Sequence, residues 1–361
     1  MNIRGRFSAW FQDNSTLAIL IVPLLVLALL TQLFAGLLVN RIVTVLFINL
    51  VLVCGLQTFM GNSGVLSFSH IGFMGIGAYS SVLLSMTPQA KAFTLPDLYP
   101  ILRNVHLPFL VAIFIGACFA ALVAALLTYP LMRLSDAAAV ITMFALLVII
   151  QVVLVHWSVV TNGPRTLFGV DFYTTLWVAV VFGVLAVIIT YYFKESDLGL
   201  KLRASRDDRY AAGSVGINMV NVRFFSFLLS AFLAGLGGGL WAHFITSFSP
   251  YAFYLTETFA ILTMLVVGGP GGVSGAVIGT VVVTFVHEGL RQIENNVNLS
   301  GGNLVGFTEV FLATVLVIIL ILRPGGIMGG RELRWPSSRP KDERGAGAEP
   351  VAASEPGSSS D

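Results

Sequence analysis

Charge is what this chain has least of. Only 11% of its 361 residues are Asp, Glu, Lys or Arg, against roughly 25% in an ordinary soluble domain. So few charges cannot cover a water-facing surface, which excludes a soluble globular protein. Cysteine is almost absent. Cys54 and Cys118 both sit inside apolar runs, so no disulfide framework or metal-type spacing exists, and both read as packing residues. The net charge of +2 offers no field to draw nucleic acid. No G-x-x-x-x-G-K-S/T phosphate loop occurs, and His287-Glu288 lacks the second His of a metalloprotease pattern. No nucleophile–base constellation and no proton-relay spacing stands out. The sequence calls for no enzyme, no metal and no cofactor.

What fills the chain is apolar: 56% of its residues are hydrophobic, and the mean hydropathy is +0.88. The apolar runs are long and continuous, which reads as helices in a bilayer and not as alternating barrel strands. A crossing takes about 20 apolar residues. Candidate spans fall at 17–39, 41–60, 64–86, 107–129, 137–157, 175–193, 222–246, 254–267, 273–290 and 306–322. That makes about ten crossings by the length criterion. The fold class is an all-α polytopic membrane protein. The third and eighth spans are the irregular ones. Grouped as spans one to five and six to ten they correspond, which suggests pseudo-inverted halves.

Lys and Arg set the orientation. Arg4 and Arg6 flank the start, Arg133 follows the fourth span, and Lys194, Lys201, Arg203, Arg206 and Arg209 follow the sixth. Arg323, Arg331, Arg334, Arg339 and Lys341 follow the last. An even count puts all of them on one side, read as cytoplasmic together with both termini. Arg41, Arg103, Arg165 and Arg291 stand singly on the other side, beside longer loops at about 87–106, 158–174 and 289–305. The first apolar run is too long for a signal-peptide core and reads as a retained helix. The division is then a cytoplasmic segment at 1–16, a transmembrane domain at 17–328 and a tail at 329–361. The tail, rich in Pro, Ser, Gly, Ala and Glu, is expected to be disordered and cytoplasmic.

Three stretches are rich in small residues. Ser69, Gly72, Gly75 and Ala78 recur every three residues, Ala231, Gly235 and Gly239 every four, and Gly271, Gly275 and Gly279 every four. In lipid, small residues let helix backbones approach, and close packing drives association. Tight packing is the plain reading. A sharper one starts from Gly61-Asn62-Ser63-Gly64 and Gly268-Gly269-Pro270-Gly271-Gly272, which read as helix breaks near membrane depth, one per half. Broken backbone there is tolerated only beside protein or water, as along a transport path. His70, beside the first break among Ser67, Ser69 and Gly72, is either a neutral histidine bonding a neighbouring helix or a substrate contact. His243, Glu257, His287, Glu288 and Glu309 lie near span ends and read as interfacial.

One polar island interrupts the apolar chain, from about Lys194 to Asn221. Ser196 or Asp197 can cap a helix running through Leu198, Leu202, Ala204 and Ala211, with Gly213 and Gly216 ending it. It is too charged to enter lipid. By spacing alone it is either a docking element for a cytoplasmic partner or an interfacial helix on anionic membrane lipid.

The island resembles the cytoplasmic loop of LivM-type permease subunits of branched-chain amino acid ABC importers, G-x-x-L-R-A-x-R-x-x-x-x-A-A-x-x-x-G-I-N. Gly199, Leu202, Arg203, Ala204, Arg206, Ala211, Ala212, Gly216, Ile217 and Asn218 match it. The first glycine-rich stretch is similar to G-x-x-G-x-x-S-x-G-H-x-x-F-x-G-I-G-A-Y. Gly61, Gly64, Ser67, His70, Phe73, Gly75, Ile76, Gly77, Ala78 and Tyr79 match, and Ser69 replaces the usual Gly. The third stretch resembles V-x-G-G-x-G-x-x-x-G-x-x-x-G, and Leu322-Arg323-Pro324-Gly325-Gly326 resembles the closing R-P-x-G. The resemblance runs in order from about 45 to 328; the loop TNGPRTL departs from the family's G-G-x-x-G-L.

The resemblance implies a type II-like import permease that binds no nucleotide itself. Two ATP-binding cassette subunits would dock on the island through Gly199, Leu202, Arg203, Ala204, Arg206, Ala211, Ala212 and Gly216. A second, LivH-like permease would share the path, and a periplasmic or extracytoplasmic binding protein would deliver the substrate. Ser67, Ser69, His70, Gly72, Phe73, Gly269 and Gly271 would line or shape the path. The setting would be a bacterial or archaeal cytoplasmic membrane. A urea or short-chain amide permease is the alternative within the family, and a self-sufficient secondary transporter the alternative outside it.

Overall fold

The computed structural model describes residues 15–333 except 297, 300, 301, 304, 305, 324 and 331. Arg4, Arg6, Pro324, Arg331, Arg334, Arg339 and Lys341, named above, therefore lie outside the described residues. With no water to pair backbone groups in a bilayer, apolar runs of this length must satisfy themselves as helices. Ten helices answer the ten expected spans, and two short ones form the island. They are α1 (Ser15–Phe34), α2 (Leu37–Leu56), α3 (His70–Ser85), α4 (Phe109–Thr128), α5 (Asp136–His156) and α6 (Leu176–Glu195). Then come α7 (Asp197–Asp207) and α8 (Arg209–Ser214) in the island, and α9 (Met219–Ile245), α10 (Leu255–Gly268), α11 (Val273–Asn296) and α12 (Phe307–Leu322). Eight segments among the described residues are long and apolar enough to cross a membrane; α3 and α12 are shorter apolar helices.

The connections sort onto two faces. On the island face Arg206 reaches the Gly61 carbonyl, Arg223 pairs with Asp136, and Lys194 pairs with Glu332. On the opposite face Leu107 N–H donates to Leu84, Leu167 and Phe248 exchange backbone bonds, and Thr94 bonds the Phe168 carbonyl. Helices alternate between these faces, so Ser15 and Leu322 lie at the same one.

The packing pairs follow the expected halves. Helix α2 packs on α9 at the centre. Helix α9 then packs on α3 and α4, as α2 packs on α10 and α11. Helix α3 meets α4 and α5, as α10 meets α11 and α12. The correspondence fails at the outside, where α6 packs on α2 and α1 makes no comparable contact with α9.

The spaced small residues divide: Gly235 presses on α4 and Gly279 on the Met264 carbonyl of α10, whereas Gly72 and Gly75 face the side chains of Ile150, Leu154 and Phe253, and the closest approach of α3 to α9 falls on Gly77 and Gly238, off the spaced positions. A Cβ on Gly77 would run into the Gly235 backbone, one on Gly238 into the Met74 carbonyl, and one on Gly235 would come within 2.6 Å of Ala120. Helices α3, α4 and α9 thus meet backbone to backbone. Buried hydroxyls add cross-links: Ser226 donates to the Thr58 carbonyl at 3.0 Å and Ser230 to that of Gly55. Such bonds between membrane helices contribute about 1 kcal/mol each.

Two expectations need correction. The third span is not helical from 64. A π turn, Gln57–Gly61, ends α2; Gly64 then takes φ +73°, and Val65–Ser69 is irregular before α3 begins at His70. The Gly268–Gly272 stretch is not the equivalent break. It is the tight turn between α10 and α11 on the island face, where a Cβ on Gly61 would strike the Pro270 carbonyl. The counterpart of Val65–Ser69 is the lead-in to α10, residues 246–254, with the 3₁₀ turn Pro250–Phe253. The packed chain also extends past residue 329: Glu332 and Leu333 bond to the start of α11.

Candidate functional site

The island is two helices rather than one. The Ser196 hydroxyl accepts from Gly199 N–H at 3.3 Å and starts α7. Asp208 breaks it and begins α8, its carboxylate accepting from Tyr210 N–H (2.8 Å) and Ala211 N–H (3.0 Å). Asp207-Asp208 was the available signal, since Asp favours the N-cap. Gly216, at φ +82°, ends the unit, and the Asn218 side chain caps α9.

The expected coupling residues divide into two sets. Gly199, Leu202 and Ala212 are buried and seat the island on the bundle. A Cβ on Gly199 would collide with the Phe193 carbonyl. Ala204, Arg206, Ala211 and Gly216 are exposed, with Arg203 half-buried near Glu195. At the tip, Tyr210 is 88% and Val215 76% exposed. Sequence reasoning had not singled out either one. Two large side chains are thus held out on a capped turn among the exposed Lys201, Arg206 and Arg209.

Arg206 joins the island to the broken span. Its guanidinium donates to the Gly61 carbonyl at 3.0 Å, freed there by the end of the π turn. Its aliphatic stem covers Gly64, where a Cβ would lie 2.7 Å from Cγ. From Gly64 the chain runs inward to His70. His70 Nδ1 meets the Ser67 hydroxyl at 2.8 Å and Nε2 meets that of Ser230, which in turn donates to Gly55. Ser230 lies eleven residues into α9, roughly 16 Å at the helical rise, about half the hydrocarbon thickness. Helix α3 therefore starts near mid-depth.

Ser67, Ser69, His70 and Phe73 come together and are all buried; the His70 ring packs beside Phe59 and Phe227. Gly72 is set against Ile150 of α5. Gly269 and Gly271 do not join them. They pack on Gly325 and Gly330 at the island face, where Ile327 and Met328 N–H bond to Val267 and Gly268. Beside that turn stands a cluster with no sequence signal. Glu332 accepts from Val273 N–H (2.9 Å), Ser274 N–H (3.0 Å) and the Ser274 hydroxyl (2.5 Å), and pairs with Lys194, both side chains nearly buried. Burial would push the Glu332 carboxyl up, but the bonds from Lys194 and Ser274 and the Lys194 charge hold it below its ordinary value.

The sequence that builds this loop and this broken span is similar to known proteins. The family model described as "Branched-chain amino acid transport system / permease component" matches residues 38–322. The chain belongs to this family. This permease is 25% identical over 353 residues to the high-affinity branched-chain amino acid transport system permease protein LivM of Escherichia coli (strain K12). That match covers 88% of this chain and 76% of LivM. LivH of the same organism is 27% identical over 158 residues, 44% of this chain and 47% of LivH. A probable LivH of Methanocaldococcus jannaschii is 31% identical over 172 residues, 47% of this chain and 53% of that protein. No solved structure matches the permease. It is the membrane permease subunit of an ABC importer, a multi-pass protein and not an enzyme.

Proposed function

We propose that this permease imports branched-chain or closely related amino acids across a bacterial or archaeal cytoplasmic membrane. The island face is cytoplasmic, with the chain ends on that side. Two ATP-binding cassette subunits dock there, on Tyr210, Val215, Ala204 and Ala211 within their basic surround. A second, LivH-like permease completes the path, and an extracytoplasmic binding protein loads it.

The observation that carries this reading is the Arg206–Gly61 bond. It couples the exposed loop directly to the start of the broken span, so movement imposed on α7 and α8 by a nucleotide-driven partner is delivered at Gly61 and Gly64. Ser67, Ser69, His70, Gly72 and Phe73 shape the path by holding that span in register against α9 and α5. Gly269 and Gly271 brace the island-face turn and act on the path only through α10 and α11.

The test is purification of the tagged permease in mild detergent with mass spectrometry of what accompanies it. Recovery of ATPase subunits and a second permease is the expected result. A lone chain or homo-oligomer that transports after reconstitution by itself overturns the reading.

A further inference from the structure

The irregular stretch Val65–Ser69 has two sides. Val65, Ser67 and Ser69 are buried in the bundle, while Leu66 and Phe68 alternate with them and are half-exposed. Phe68 stands edge-on to Phe144 of α5, 5.8 Å between ring centres, and to Phe259 of α10, 6.4 Å. Phe144 and Phe259 are themselves 38% and 37% exposed. The broken span thus reaches the outside of this chain in the gap between α5 and α10.

Among the described residues, the N–H groups of Leu66, Ser67 and Phe68 find no acceptor. Lipid cannot be what covers them. An unpaired peptide group in hydrocarbon costs several kcal/mol, and irregular backbone persists at depth only against protein or along a water-filled path. A second orphan lies close by. Gln151 is 7% exposed, and neither of its amide atoms has a partner. It sits seven residues beyond Phe144, hence on the same face of α5 two turns nearer the opposite face. Its neighbour Ile150 packs on Gly72 in the first turn of α3, so Gln151 lies level with the free N–H groups at that helix start.

We propose that Leu66, Phe68, Phe144, Phe259 and Gln151, with the backbone of Val65–Ser69, form a halting site for the transported solute, a small zwitterion with an apolar side chain. This rests on the permease reading above. The aromatic wall takes the apolar side chain. The unpaired N–H groups and the positive end of α3 take the carboxylate. The Gln151 carbonyl oxygen accepts from the ammonium group. None of these side chains is ionised, so a solute with a charged side chain gains no counter-charge and is disfavoured. Contacts of this kind are weak enough to release the solute onward.

The test uses the whole complex, purified with its partners and reconstituted, carrying Cys118→Ser and either Phe68→Cys or Phe144→Cys. Leucine uptake is measured first, and then labelling by a small hydrophilic thiol reagent with and without leucine. The expected result is labelling at both positions, slowed by leucine; at tenfold over its dissociation constant the slowing is roughly tenfold. A complex that carries leucine while neither cysteine is labelled, or is labelled with no effect of leucine, overturns the site alone. A parent complex that carries no amino acid overturns the permease reading and the site with it.

Discussion

The Arg206 guanidinium donates a 3.0 Å hydrogen bond to the carbonyl of Gly61, 145 residues earlier in the chain. The acceptor is free because the π turn Gln57–Gly61 ends there, and the stem of the same side chain covers Gly64, whose φ of +73° turns the backbone inward. One residue of the exposed loop therefore holds both the end of α2 and the start of the broken span.

Arg206→Gln should separate ATP hydrolysis from transport. A hydrogen bond from a charged donor is worth about 1.5–3 kcal/mol, so uptake per ATP is expected to fall on the order of tenfold or more. Assembly with the ATPase subunits should be retained, because other exposed loop residues supply the docking surface. The ratio of uptake to hydrolysis in proteoliposomes decides it; an unchanged ratio would remove Arg206 from the coupling route.

Tyr210→Glu and Val215→Glu should release the ATPase subunits and leave the permease folded, since both side chains are exposed and packed on nothing. Removal of an anchoring aromatic at an interface costs about 2 kcal/mol or more, a loss of roughly thirtyfold in affinity. Co-purification against wild type, with thermal stability of the isolated permease as control, reads both effects.

Glu332→Ala should destabilise the bundle by about 3–5 kcal/mol, because it leaves Lys194 buried without its partner. Acid should do the same to the native chain. The Glu332 carboxyl titrates below its ordinary value when folded. Its contribution is therefore complete above the unfolded carboxylate pKa and is lost as the pH falls through that range and below it. Melting temperature across this acid range should drop for the wild type by more than for Glu332→Gln. Parallel curves would count against this role for the Lys194–Glu332 pair.

Gly77→Ala should fail at the packing step. The added methyl meets the Gly235 backbone, which cannot move aside as a side-chain tip can, and overpacking of this kind costs about 1–3 kcal/mol or more. The yield of monodisperse protein in detergent should fall sharply, whereas Gly213→Ala, on an exposed position with open space around it, should match wild type.

The crossings were legible because burial in lipid writes itself into composition, and Gly235 was legible as a packing glycine from its spacing, but its partner Gly77 lies off the face that Ser69, Gly72, Gly75 and Ala78 mark out, and which residue of α3 meets α9 depends on how the helices cross. The depth of the breaks was not. Gly61–Gly64 and Gly268–Gly272 look alike as glycine clusters, yet one opens a broken span and the other is a turn at the face. Val65–Ser69 is apolar enough to pass for helix, and the contacts that flank it, Arg206 on Gly61 and Gly64 and Ser230 on His70, come from distant parts of the chain. The Lys194–Glu332 pair bridges 138 residues, and no local pattern announces such a partner. Of the island, the capping Ser and the closing Gly were readable; the exposure of Tyr210 and Val215 depends on how Asp208 bends the loop.

The most direct test of the central claim is leucine uptake by proteoliposomes holding the permease, its partner permease and the ATPase subunits, with loaded binding protein on the outside and ATP within. Uptake should require ATP and the ATPase subunits and should be lost with Tyr210→Glu. Uptake by the permease alone, driven by an ion gradient and indifferent to ATP, would contradict the account.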